Sequence, residues 1–273
     1  MSTGLFDPTF DDCEWTDAWT RIPLMQIPPG VYDSFSVKSW LISEAQVCDH
    51  IVTLTPPLEA RGLITRDGTL WMSDVPQERL MMFNNAQSSS GRVLVGGMGL
   101  GLYPQYAVPH IESLTVIEHE AEICRVVEPL VRVAADSVGV PVEVNHGKIE
   151  AMLNAAPVVA YDTIFLDTWE TLDAAYLPAI NRLREAAVNH LAPGGRVLLW
   201  GYAWMLRLFT DACRHLLQAP PSERTPLLEQ TTRQRPEVQR MLTGILDHFA
   251  GVVVEDWEAS LTWCHDYGVR FTG

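Results

Sequence analysis

Arg92-Val93-Leu94-Val95-Gly96-Gly97-Met98-Gly99-Leu100-Gly101 is the stretch whose reading decides the fold. A short, wholly apolar run that stops in glycines reads as a buried strand, followed by a turn where the backbone comes close to something else. Downstream the pattern repeats. Residues 113–118 (SLTVIE), 141–147 (PVEVNHG), 161–167 (YDTIFLD) and 195–202 (GRVLLWGY) are further apolar strands. Helical stretches separate them. Residues 121–139 place Ile123, Val126, Val127, Leu130 and Val133 at helical spacing and end at Gly139. Residues 174–191, 205–217 and 236–249 are helical too, and Pro178 marks a break near the start of the first of these. Strands alternating with helices predict an α/β fold with a doubly wound, mostly parallel sheet covered on both faces. In such sheets ligands sit beyond the carboxyl ends of the strands, near the switch point. The residues just after each strand are therefore the candidates.

After the first strand the spacing is G-x-G-x-G at Gly97, Gly99 and Gly101, with Gly96 ahead of it. The dinucleotide fingerprint counted from Gly97 would need glycine at 102, where Leu102 stands. The loop fits a nucleoside held edge-on, or simply a tight turn. Glu118 ends the second strand, as a bidentate acceptor for ribose hydroxyls or an acid at a strand end. The third strand runs into His146, Lys148 and Ile149, where an adenine edge could be met. The fourth ends in Asp167-Thr168-Trp169. Asp167 suits proton abstraction or the holding of an amine, or it caps the next segment. Asp162 begins that strand at its far end and stays outside the site. Leu191-Ala192-Pro193-Gly194-Gly195 reads as a turn feeding the fifth strand. His110, His119 and His146 read as surface histidines before anything else.

Upstream, residues 1–60 are irregular and rich in aromatics (Trp15, Trp19, Tyr32, Phe35, Trp40), with residues 43–54 either helix or helix-to-strand. Residues 61–90 carry a hairpin signal at Asp67-Gly68, then a helix with Ser73 or Asp74 as cap and Pro76 in its first turn. Three parts are therefore expected: an N-terminal lid (1–60), a hairpin with connecting helix (61–90), and a cofactor-binding catalytic domain (91–273).

The 273 residues are 47% hydrophobic and 19% charged, which excludes a disordered chain. Nineteen Lys and Arg against 34 Asp and Glu give −15. That balance disfavours a nucleic-acid or anionic-membrane partner, because both need clustered basic residues. No secretory signal or membrane-length apolar span is read, so a cytoplasmic location is expected. The five cysteines never form a CxxC pair, so no metal site is assigned.

VLVGGMGLG (93–101), VIEHE (116–120), YDTIFLDTW (161–169) and LAPGGRVLLW (191–200) together resemble the class I S-adenosylmethionine-dependent methyltransferase superfamily, over roughly residues 90–202. The resemblance implies a Rossmann-like seven-stranded sheet with a reversed last strand, S-adenosyl-L-methionine as cofactor, contact through Gly96, Gly97, Gly99 and Gly101, and ribose contact through Glu118. His119, Ile149, Asp167 and Trp169 complete the implied cofactor set. The superfamily's frequent acid after the third strand is replaced by Lys148. The hairpin segment and Met72-Ser73-Asp74-Val75-Pro76-Gln77-Glu78 look like the spermidine synthase (polyamine aminopropyltransferase) group, and more like its uncharacterised relatives with an acid-x-Trp after the fourth strand. That group implies Asp167 as activator of an attacking amine. Its glycine-loop acid is missing here, where Met98 and Leu100 stand. Ordinary S-adenosylmethionine is therefore expected rather than its decarboxylated form.

The expected function is methyl transfer to a small-molecule amine or other nucleophile, with Asp167, Asp74 and Glu78 as catalytic candidates and an aromatic lid near the sulfur. Two alternatives stay open. One is a cyclase, lyase or aminopropyl-type transferase that releases methylthioadenosine. The other is an inactive nucleoside-binding protein. A homodimer through the hairpin edge is also expected.

Overall fold

A computed structural model describes residues 24–47, 50–157 and 159–273. Trp15, Trp19, Cys13 and Cys48 lie outside the described residues. Within these limits the chain divides into two units, one of residues 24–170 with 186–200 and one of residues 171–185 with 201–273.

The first unit opens with a four-stranded antiparallel sheet, β1 (Gly30–Val31), β2 (Phe35–Val47), β3 (His50–Thr65) and β4 (Leu70–Ser73), in that order. The stretch left open between helix and helix-to-strand is neither: it joins β2 and β3, where Glu44 pairs with Thr53. The expected part boundary at residue 60 falls inside β3. Burial explains why the pattern was hard to read. Leu41 and Ile51, far along this ribbon, are 72% and 80% exposed, so alternation there does not track a core. Nearer its base, Phe35, Val37, Ala60 and Leu63 are buried. Trp40 and Leu70 close over Gly62, where an added Cβ would lie 2.8 Å from either side chain. The Asp67-Gly68 turn forms as expected, with the Gly68 N–H donating to the Thr65 carbonyl at 3.0 Å.

Helix α1 (Pro76–Gln87) follows, with Pro76 in its first turn. Its cap is Val75, with no side-chain hydrogen bond, so neither Ser73 nor Asp74 caps it. Asp74 is instead 2% exposed and pairs with the Arg79 guanidinium at 2.7 Å. It also accepts from the Gln26 amide at 2.6 Å and from the Arg61 backbone N–H. Arg79 donates further to the carbonyls of Asp74 (2.7 Å) and Glu59 (2.9 Å). Loss of either partner would leave an uncompensated buried charge, at about 3–5 kcal/mol.

The second sheet is built from β5 (Arg92–Gly96), β6 (Ser113–Glu118), β7 (Val142–His146), β8 (Tyr161–Leu166) and β9 (Leu191–Leu199). All pairs are parallel, in the order β7-β6-β5-β8-β9. Among the described residues the sheet therefore has five strands, not seven, and none is reversed. The expected sixth and seventh strands are missing: after Leu199 the chain forms four helices and their connections, with no strand. β9 also starts earlier than expected: Leu191 already pairs with Tyr161, and a register shift before Thr163 absorbs the Pro193-Gly194 segment. The central strands β5 and β8 are buried on both faces, as the middle of a covered parallel sheet requires. Val93, Leu94, Val95, Ile164, Phe165 and Leu166 are all at most 1% exposed.

Helices α2 (Leu102–Ala107), α3 (Ala121–Asp136), α4 (Ile149–Leu153) and α5 (Leu177–Val188) connect these strands. α3 buries Ile123, Val127, Val131 and Ala135, a strict i, i+4 stripe, while Val133 is 52% exposed rather than core. Tyr103 of α2 stacks on Phe165 with ring centroids 3.8 Å apart and bonds the Ser89 hydroxyl at 2.7 Å.

In the other unit α6 (Tyr202–Gln218), α7 (Arg224–Thr231), α8 (Pro236–His248) and α9 (Trp257–Arg270) follow one another. α6 and α9 approach closely at Gly268, where a Cβ would lie 2.8 Å from the Phe209 ring. Asn181, fully buried, donates to the carbonyls of Gly268 and Phe271 at 2.8 and 2.7 Å. Arg224 satisfies four carbonyls, those of Leu217, Ala219, Phe249 and Val252. No helix among the described residues is long and apolar enough to cross a membrane.

Candidate functional site

The strand order reverses between β5 and β8, and the site lies beyond their carboxyl ends. Two backbone hydrogen bonds carry the ladder past the strands. The Gly97 N–H donates to the Ile117 carbonyl and the Asp167 N–H to the Gly96 carbonyl, both at 2.9 Å. The turn after β5 is thereby pressed against the end of β8. Gly97 has φ +89°, and a Cβ there would lie 2.1 Å from the Asp167 carbonyl oxygen. Only glycine fits. Gly101 closes the turn onto the Met98 carbonyl at 2.9 Å and opens α2; its missing Cβ would meet Val127 of α3 at 2.8 Å. It sets helix packing, and it does not line the cavity. Gly96 does not line it either: it makes room for the Ile149 side chain, 2.8 Å from where its Cβ would be.

A cavity of about 460 Å³ opens above this turn. Gly97, Gly99, Glu118, His119, Ile149, Asp167, Trp169 and Glu78 all line it. Asp74 does not: it is occupied by Arg79, Arg61 and Gln26, which removes it from the reactive set. Tyr32, Phe35 and Trp40 do not line it, so the described part of the expected lid is sheet packing. The aromatic walls are Trp71, Tyr103, Phe165, Trp169 and Trp200. Trp169 and Trp200 face each other with centroids 6.4 Å apart. Trp71, Met72 and Trp200 were missed from the sequence. Trp200 follows directly on β9, which ends at Leu199 rather than at the expected residue 202, so the strand-end rule passed over it.

Glu118 is 7% exposed, and its two oxygens are separately held. One accepts the Met98 N–H and the other the Glu120 N–H, each at 2.7 Å. These bonds fix the carboxylate's plane and leave each oxygen a further lone pair for a hydroxyl. His119 is turned outward toward Glu120, at 3.3 Å from its carboxylate, and its carbonyl meets the His146 ring at 2.9 Å. Asp162 bonds the Arg92 N–H at 2.7 Å, at the opposite end of the sheet.

Asp167 keeps a little surface toward the cavity, but surrounding atoms strip water from its carboxyl. Burial, reinforced by the Glu118 charge, pushes its pKa up to about 7. No hydrogen-bond donor among the described residues reaches that carboxyl. Glu78, brought in by α1, is raised well above the ordinary carboxylate value, first by burial and then by Asp167. The Trp200 indole opposes that rise from nearby, although its N–H stays outside hydrogen-bond geometry. The arrangement offers a diol acceptor at one place and, elsewhere in the same cavity, two acids that ionise reluctantly beside aromatic walls.

No family model matches the chain, and no curated protein does. Solved structures do show likeness. A S-adenosylmethionine-dependent methyltransferase from Clostridium acetobutylicum ATCC 824 is 16% identical with a TM-score of 0.35, over 46% of this chain and 50% of that one. A putative O-methyltransferase from Klebsiella pneumoniae is 19% identical with a TM-score of 0.33, over 46% and 55%. A SAM-dependent methyltransferase from Thiobacillus denitrificans, in complex with S-adenosyl-L-homocysteine, is 18% identical with a TM-score of 0.33, over 46% and 48%. The chain thus spans about half the length of these structures.

Proposed function

We propose that the cavity binds S-adenosylmethionine and that this chain transfers its methyl group to a small-molecule amine or other nucleophile. One observation carries the reading: Gly97, Glu118 and Asp167, from three different strand ends, line a single cavity at the switch point. The residues suit the ligand. Glu118 presents an oriented carboxylate to a ribose diol, Gly97 and Gly99 bring no side chain to the cavity wall, and the cavity's volume falls within the range of small-molecule sites. Ile149 packs where the base would lie. Gly96 and Gly101 act as positioning residues behind the turn.

When bound, the sulfonium supplies an electrophilic methyl carbon. Asp167 accepts the proton given up as the acceptor's lone pair takes that carbon. A base with a pKa of about 7 is matched to neutral conditions. Glu78 holds the acceptor's polar end, and Trp71, Trp169 and Trp200 keep water out. A cytoplasmic location and a homodimer through the edge of the Asp67-Gly68 hairpin complete the proposal.

A second reading has one observation in its favour. Met72, Ser73 and Glu78, from the segment that looks like the spermidine synthase group, line the same cavity. It would have another carbon attacked and methylthioadenosine released. The unpartnered Asp167 carboxyl speaks against a merely inactive nucleoside binder. Mass spectrometry of the nucleoside formed from S-adenosylmethionine with cell extract separates these. S-adenosylhomocysteine is expected; methylthioadenosine would replace methyl transfer with the second reading, and no turnover with any extract would leave only binding.

A further inference from the structure

We propose that the carboxyls of Glu78, Glu118 and Asp167 make this cavity a charge filter, holding the sulfonium more tightly than the neutral thioether left after transfer and so favouring release of the spent nucleoside. The inference rests on the cofactor reading above and goes beyond it.

Three separate elements aim these acids at one space: α1 carries Glu78, β6 carries Glu118 and the end of β8 carries Asp167. Glu150, just beyond β7, and Glu170 also line it. Against these five acids stand Lys148, which is exposed, and His119, which is turned to Glu120. Aromatic and aliphatic walls keep the dielectric low, so a cation gains more here than in water. Asp167 has no hydrogen-bond donor of its own among the described residues, so an incoming positive charge is its first compensation. Methyl transfer removes one positive charge from the bound nucleoside and changes little else. The adenosine and the amino-acid end are common to both forms, so the ratio of their affinities isolates the sulfonium.

The ratio also carries a pH signature. Asp167 ionises through about pH 7, and a bound cation favours the ionised form. The preference for the sulfonium should therefore grow from pH 6 to pH 8. If the bound cation lowers that value by one pH unit, the ratio changes by about fivefold over this range.

The test is calorimetry on the full chain without acceptor, with S-adenosylmethionine and S-adenosylhomocysteine at pH 6 and pH 8. The wild type should show an S-adenosylmethionine preference several-fold larger at pH 8. Asp167→Asn should bind both nucleosides with a pH-independent ratio, and Glu78→Gln should show a smaller preference. A pH-independent ratio in the wild type overturns the filter while leaving the cofactor reading standing, and so does a dependence that survives in Asp167→Asn. Binding of neither nucleoside overturns both.

Discussion

Asp167→Asn should lower methyl transfer by about 10²–10⁴-fold, the range for loss of a general base, with affinity for S-adenosylhomocysteine changing far less. Asparagine keeps the shape of the side chain and leaves the backbone junction with Gly96 in place, but it cannot take a proton. The same substitution should stabilise the fold at high pH. In the folded protein Asp167 stays protonated up to about pH 7, whereas the unfolded chain loses that proton near 3.8. Between these values the folded state binds more protons, so rising pH erodes stability, by at most about 4 kcal/mol at ~1.4 kcal/mol per pH unit. Asparagine removes that penalty. Thermal unfolding of the two proteins should nearly coincide at pH 4, with the variant melting several degrees higher at pH 8. A variant that turns over normally would remove Asp167 from the chemistry, and equal melting at both pH values would remove the burial argument.

Gly97→Ala should be the most damaging single methyl group. Its Cβ would lie 2.1 Å from a backbone oxygen that cannot move without breaking the junction of β5 with β8. Left-handed backbone costs a non-glycine residue roughly 1–2 kcal/mol, and overpacking adds about 1–3 kcal/mol. Gly68→Ala separates the two terms, because Gly68 has the same φ of +89° and nothing within 4 Å. Urea denaturation should show Gly68→Ala losing only the first term. Gly97→Ala should lose about 2–5 kcal/mol in total, and nucleoside binding with it. Equal losses at both positions would contradict the close approach.

The parallel sheet was legible because burial on both faces forces apolar runs such as Val93-Leu94-Val95 and Ile164-Phe165-Leu166, and their glycine and acid endings mark the ligand side. Asp74 was misread because an acid two residues before Pro76 looks like a cap; only the fold brings Arg61, Gln26 and Arg79 around it. The β2–β3 ribbon was unreadable for the opposite reason. Leu41 and Ile51 are apolar and exposed, so no burial period is written into that stretch. The extra two strands came from resemblance; the apolar run Val252-Val253-Val254 after Leu199 forms no strand, and Val252 and Val253 are exposed. Trp200 was missed because the fifth strand reads on to Tyr202 in sequence, whereas β9 ends at Leu199.

The proposed function requires that a nucleoside sit against the turn after β5 with its sugar on Glu118. A crystal structure with S-adenosylhomocysteine bound tests it most directly. Both ribose hydroxyls should lie within hydrogen-bond distance of the two Glu118 oxygens, with the sulfur on the side of Asp167 and Glu78. A nucleoside found elsewhere, or in the cavity with its ribose away from Glu118, would contradict it.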